Sequence, residues 1–286
     1  MKYISVFVFI LMTIPSFGQG CPYGKAETDL SASGLTPNIK SLSAIEYDAI
    51  GNTKDPDHLK LGDVITDETT FYNRQGYRTH ERDRIGDDPA EFTTYSLQPA
   101  GNELLLVNTD STGDTLDMWI YQYDDSCRLW KEKHYTKDLQ LRDIEVRAYN
   151  SRNEMISYIQ YDSLGHLVER YEYSMDADST HSSMRHYNSS DSLDWSVKTK
   201  TTDDGKKTKS LFYHSDGTKD FITRDKNNEH GDQIQSKFYH SNGLFNFGYE
   251  YIYEYDARGN WIKQTEIDSG RDREIFVTIR TIEYWN

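Results

Sequence analysis

The sequence predicts an all-β protein: an antiparallel meander of short tandem repeats, curled into an open sheet, a spiral or a half-barrel. Three observations predict it. A turn unit, Tyr-(Asp/Asn/His)-x-x-Gly, recurs along the chain. The units are separated by even intervals that leave one strand's length between them. Where the pattern is plainest, Tyr249, Tyr251, Tyr253 and Tyr255 alternate with Glu250, Ile252 and Glu254, the two-residue period of a half-buried strand.

The turn unit reads Tyr47-Asp48 to Gly51, Tyr72-Asn73 to Gly76, Tyr161-Asp162 to Gly165, Tyr213-His214 to Gly217, Tyr239-His240 to Gly243 and Tyr255-Asp256 to Gly259. Degraded copies run from Tyr123 to Cys127, Tyr149 to Asn153 and Tyr187 to Asp191. Asp or Asn bonds its side chain to backbone N–H groups just downstream, and glycine takes the positive φ that closes the turn. Asn153 tolerates that conformation; Cys127 and Asp191 fit it less well.

The tyrosine slot falls at 123, 135, 149, 161, 173, 187, 201, 213, 227, 239 and 255, with intervals of 12, 14 or 16 residues. Even intervals predict that each slot tyrosine returns to one face of the sheet, if the turns share one geometry. About eight residues remain between turns, a strand of about 26 Å. A β-propeller is the alternative architecture, since four such strands make one blade.

Residues 1–18 have the form of a secretory signal: Lys2, an apolar run from Ile4 to Ile14, Pro15, and small residues before Gln19. Residues 19–44 read as a linker or N-terminal cap. Residues 45–286 read as one β domain, degenerate over 45–120, regular over 121–265, and closed by a capping strand in 266–286. Cys21 is a candidate lipidation site, and a lipid there would anchor the chain without a membrane span. In an oxidising compartment Cys21 and Cys127, the 2 cysteines, are also a candidate disulfide.

The net charge is -15, with 47 acidic against 32 basic residues, which argues against a nucleic-acid partner. The 22 tyrosines supply large rings with polar tips, suited to a thin core. Aspartate pairs such as Asp87-Asp88 and Asp124-Asp125 sit beside turns and match no calcium loop. The 9 histidines are scattered; His181 and His186 are five apart and His134 stands alone. Zincin, hydrolase-elbow and phosphate-loop motifs are missing, so the sequence predicts no catalytic residue, metal or cofactor. Trp119, Trp130 and Trp195 lie outside the tyrosine slot and are the candidate ligand-binding residues, with Trp285 beside them.

At Tyr255-Asp256-Ala257-Arg258-Gly259-Asn260-Trp261 and Tyr161-Asp162 to Gly165 the chain resembles bacterial YD-repeat proteins of the RHS class. The resemblance covers roughly residues 120–265, and more weakly 45–105. It implies long β-sheets wound into a spiral or shell. The chain is too short to encapsulate a further domain, and the resemblance implies no activity.

These readings converge on an exported, non-catalytic binding or scaffolding protein of the bacterial envelope, in the periplasm, at the cell surface or outside it. Its expected partner is a glycan or an envelope protein. The alternatives are a secreted hydrolase with dispersed carboxylates and an outer-membrane β-barrel. The outward charges Arg170, Glu172, Glu250 and Glu254 weigh against the barrel.

Overall fold

The structure, a computed structural model, describes residues 28–51, 58–97, 103–177, 180–202, 204–270 and 274–286. A four-residue helix, α1 (Asp29–Ala32), precedes β1 (Ile39–Ile50), β2 (Lys60–Tyr72), β3 (Arg78–Ile85), β4 (Glu91–Leu97), β5 (Glu103–Thr109) and β6 (Thr115–Tyr123). The regular repeats form β7 (Leu129–Thr136), β8 (Leu141–Tyr149), β9 (Met155–Asp162), β10 (Leu167–Met175), β11 (His181–Tyr187) and β12 (Leu193–Thr201). Six strands complete the chain: β13 (Lys207–His214), β14 (Lys219–Asn227), β15 (Gln233–His240), β16 (Phe245–Tyr255), β17 (Trp261–Asp268) and β18 (Ile275–Tyr284).

Every strand pairs antiparallel with its sequence neighbours, as the repeat predicts. The sheet does not stay open, however. β1 pairs with β2 on one side and with β18 on the other, from Ile39↔Tyr284 to Asp48↔Phe276, so 18 strands form a closed ring. The open sheet, spiral, half-barrel and propeller expectations are corrected by this one pairing. Closure satisfies the two strand edges that an open meander would leave bare. β18 is therefore a member of the ring, where a cap was expected, and β1 opens at Ile39, inside the segment read as linker.

The turns behave as the motif requires. Gly165, Gly217, Gly243 and Gly259 have φ between 80° and 86°. The degraded copies keep the same geometry without glycine: Cys127, Leu139, Asn153 and Asp191 have φ of 63°, 60°, 64° and 55°. The Asp162 Oδ1 accepts from the backbone N–H of Leu164 at 2.9 Å and of His166 at 2.8 Å. These bonds, led by that of His166, hold the Asp162 carboxyl below the usual range.

The slot tyrosines do not share a face. A one-residue register shift sits beside most repeat turns, as between Gln122 and Tyr123, and from β6 to β17 paired residue numbers sum to odd values, as in Trp119↔His134 and His134↔Asp143. Inward-facing positions are therefore odd on one strand and even on the next. With even slot intervals, Tyr123, Tyr149, Tyr173 and Tyr255 face the barrel interior, while Tyr135, Tyr161, Tyr187, Tyr213 and Tyr239 face outward. The inward set belongs to one end of the barrel and the outward set to the other.

At the first of these ends, residues 28–38 pack against β1, β2, β18 and the turns at Gly76 and Asn260. Thr28 caps α1, accepting from the Ser31 N–H. Leu30 is 3% exposed and clusters with Ile39, Leu42 and Tyr72. Asn260, 2% exposed, accepts from the Thr36 N–H at 2.9 Å and donates to the hydroxyls of Thr36 and Tyr284. Trp285 N–H donates to the Asn38 carbonyl at 2.8 Å. The cluster around Leu30 is at this end; Val197, Phe212, Ile222 and Val277 are buried elsewhere on the wall. Most other inward positions are only half-buried, the signature of a wet lumen.

Candidate functional site in the barrel lumen

The register places inward-facing residues in rows around the wall. One row runs Glu68↔Asp83↔Glu91 on β2 to β4. Another runs Tyr121↔Glu132↔Glu145↔Gln160↔Glu169 on β6 to β10. Arg147 bridges the second row, donating to Glu132 and Glu145 at 2.9 Å each. Arg78 pairs with Glu81 at 2.8 Å, and the Tyr95 hydroxyl donates to the same carboxylate at 2.6 Å. Carboxylates outnumber the cations set among them, so the lumen is acidic.

Two histidines stand out within it. His134, on β7, is 7% exposed and stacks on Trp119 with ring centroids 4.1 Å apart and planes 4° apart. Its Nδ1 lies 3.3 Å from Asp143 Oδ2 and its Nε2 lies 3.9 Å from Asp117 Oδ2. His186, on β11, stacks on Trp195 at 5.2 Å and lies 3.3 Å from both Glu169 and Asp194. In both places a strand pairing sets the histidine directly opposite the tryptophan. The result is an aromatic shelf with carboxylates on either side, which suits hydroxylated or cationic small molecules. Among the described residues no Ser, Thr or Cys nucleophile bonds to either ring.

Of the three candidate tryptophans, Trp119 and Trp195 thus face the lumen in equivalent settings on different strands. Trp130 does not join them; it sits at the start of β7 beside the register shift, 39% exposed, with Lys131 Nζ 5.7 Å from its ring. Trp285 lies at the end of the barrel that holds α1, beneath Arg74. Cys127 is disulfide-bonded; Cys21, the expected partner and candidate lipid site, lies outside the described residues, as does the whole signal segment. The two histidine–tryptophan pairs escaped sequence reasoning because only the strand register joins residues 9 to 15 positions apart. The signal was the unexplained tryptophans themselves.

No protein-family model and no curated relative matches the chain. Among solved structures, the fold is similar to a porin-like protein from Bacteroides uniformis. The identity is 12% and the TM-score 0.48, covering 87% of this chain and 98% of that one. A porin-like protein from Bacteroides vulgatus is similar at 9% identity and TM-score 0.38, covering 87% and 99%. A putative outer membrane lipoprotein-sorting protein domain from Vibrio parahaemolyticus is similar at 9% identity and TM-score 0.25, covering 88% of each chain. The resemblance to YD-repeat proteins of the RHS class is corrected. No repeat-family model matches, and the strands close on themselves where a spiral was expected.

Proposed function

We propose that the chain is an exported, non-catalytic barrel of the bacterial envelope that acts through its lumen, passing or holding small hydroxylated or cationic solutes. Ring closure carries this reading over the open scaffold: a closed wall with a wet, acidic interior is a conduit or a container. Closure also supports seating in the outer membrane, because only a sheet without edges can lie in lipid. The signal-like leader supports export.

A second reading, a water-soluble barrel that holds its solute in the periplasm, is favoured by the outer face of β12 to β15. There Lys198, Lys209, Arg224 and Lys237 point outward from mid-strand. At a bilayer midplane each such residue costs about 2–4 kcal/mol. Alkaline carbonate extraction of envelopes followed by liposome swelling separates the readings. The membrane-seated barrel stays in the pellet and speeds the entry of cationic over anionic solutes of equal size. The soluble barrel is released without detergent. Release together with no solute binding in equilibrium dialysis would defeat both.

A further inference from the structure

The outer wall carries a charge arrangement that the lumen does not explain. Lys200, Lys209, Arg224 and Lys237 stand directly opposite one another on β12, β13, β14 and β15, a row of four cations on four adjacent strands. Lys207 and Lys226 form a second such pair one row nearer the end that holds α1. Like charges directly opposite on one sheet face are destabilising, and this chain has the acidic residues to intersperse. Yet among the described residues no carboxylate lies within ion-pair distance of any of the four. The nearest pair, Lys206 with Glu229 at 3.8 Å, lies out in the turns. Lys200, Lys209 and Arg224 are exposed and Lys237 half-buried.

Two outward tyrosines lie further along the same strands, Tyr239 one row away and Tyr213 two. Tyr213 and Tyr239 are both outward and half-buried, and each is roofed by a cation of the neighbouring strand: Lys198 at 5.7 Å and Arg224 at 4.9 Å from the ring centroids. The row presents cations at the strand spacing, about 4.8 Å. That spacing is close to the length of one pyranose unit. We infer that this face docks a linear acidic polysaccharide, laid across β12 to β15 with one carboxylate per sugar meeting one cation. The inference does not depend on the lumen, but it rests on the water-soluble reading, because a wall seated in lipid could not meet a polymer; carbonate extraction tests that reading separately.

Full-length protein is tested for binding to polygalacturonate, with neutral dextran, anionic phospholipid vesicles and double-stranded DNA as comparison probes. Binding to polygalacturonate alone, falling steeply with salt, is expected. A variant carrying Lys200→Gln, Lys209→Gln, Arg224→Gln and Lys237→Gln is expected to bind about tenfold or more weakly while melting at the same or a higher temperature, because mutual repulsion is removed. A merely structural role would move the melting temperature down instead. Unchanged affinity in the variant overturns the inference. So does wild-type binding to vesicles or DNA as tight as to the polysaccharide. If the fourfold variant does not fold, Lys209→Gln with Arg224→Gln is read by the same two measurements.

Discussion

Gly217 offers a direct measure of what the repeat glycines contribute. Its φ is 80°, and a Cβ built there meets nothing within 4 Å, so Gly217→Ala imposes a conformational cost and no clash. Holding an L-residue in this region costs about 1–2 kcal/mol. The freedom glycine loses on folding, about 0.5–1 kcal/mol, is returned. The net loss is about 1 kcal/mol. Gly165, Gly243 and Gly259 share the geometry and the empty surroundings, with φ of 84°, 86° and 85°. The sites lie in separate turns, so the fourfold alanine variant loses about 4 kcal/mol by addition. Leu139 is the internal control. It already holds φ of 60° without glycine and is 65% exposed, so Leu139→Ala changes stability by no more than about 0.5 kcal/mol. Urea unfolding followed by far-ultraviolet circular dichroism reads wild type and the three variants. A neutral Gly217→Ala, or a Leu139→Ala as costly as the glycine changes, would refute the claim that backbone handedness is what the fifth turn position selects.

Asn260→Ala leaves the half-buried Thr36 N–H without its acceptor and removes one of the two partners of the Tyr284 hydroxyl, which keeps Asp256, a loss of about 1–3 kcal/mol. Hydrogen exchange should show it as faster exchange in residues 28–38, and unaltered protection there would count against the cap. Leu30→Ala hollows the dry cluster and costs about 2–4 kcal/mol, read as a lower urea midpoint with unchanged far-ultraviolet signal before unfolding; a midpoint equal to wild type would mean the helix is not held there. Asp162 has a depressed carboxyl, so its charge stabilises the fold above the unfolded value near 3.9, and that contribution fades as pH falls through the lower folded value. The stability advantage of wild type over Asp162→Asn should accordingly persist above pH 5 and vanish in stronger acid; an advantage growing below pH 4 would contradict the assignment.

The local half of this fold is legible in the sequence. Tyr-Asp-x-x-Gly specifies a turn through side-chain acceptors and one left-handed residue, and even the poor copies at Cys127 and Asp191 adopt it, because the flanking strands are already paired. Closure is not legible, since Ile39 meets Tyr284 across nearly the whole chain and no local pattern marks a strand pair at that separation. The facing of the tyrosines was misread for a subtler reason. Even spacing fixes a face only when paired positions share parity, and one shifted residue beside each turn reverses it. The same shifts set Trp119 against His134 and Trp195 against His186, so the site depends on the register that the sequence conceals. Trp119 and Trp195 could be singled out as unexplained, but their histidine partners could not.

The in-and-out alternation of the slot tyrosines constrains how such a wall can lengthen. Adding or losing one strand would turn every later ring to the wrong side, whereas gaining a whole hairpin, two successive slot intervals, preserves the phase. Relatives of different girth should therefore differ by even numbers of strands. An inserted or excised hairpin of this kind should leave a ring that still shuts, with a wider or narrower bore.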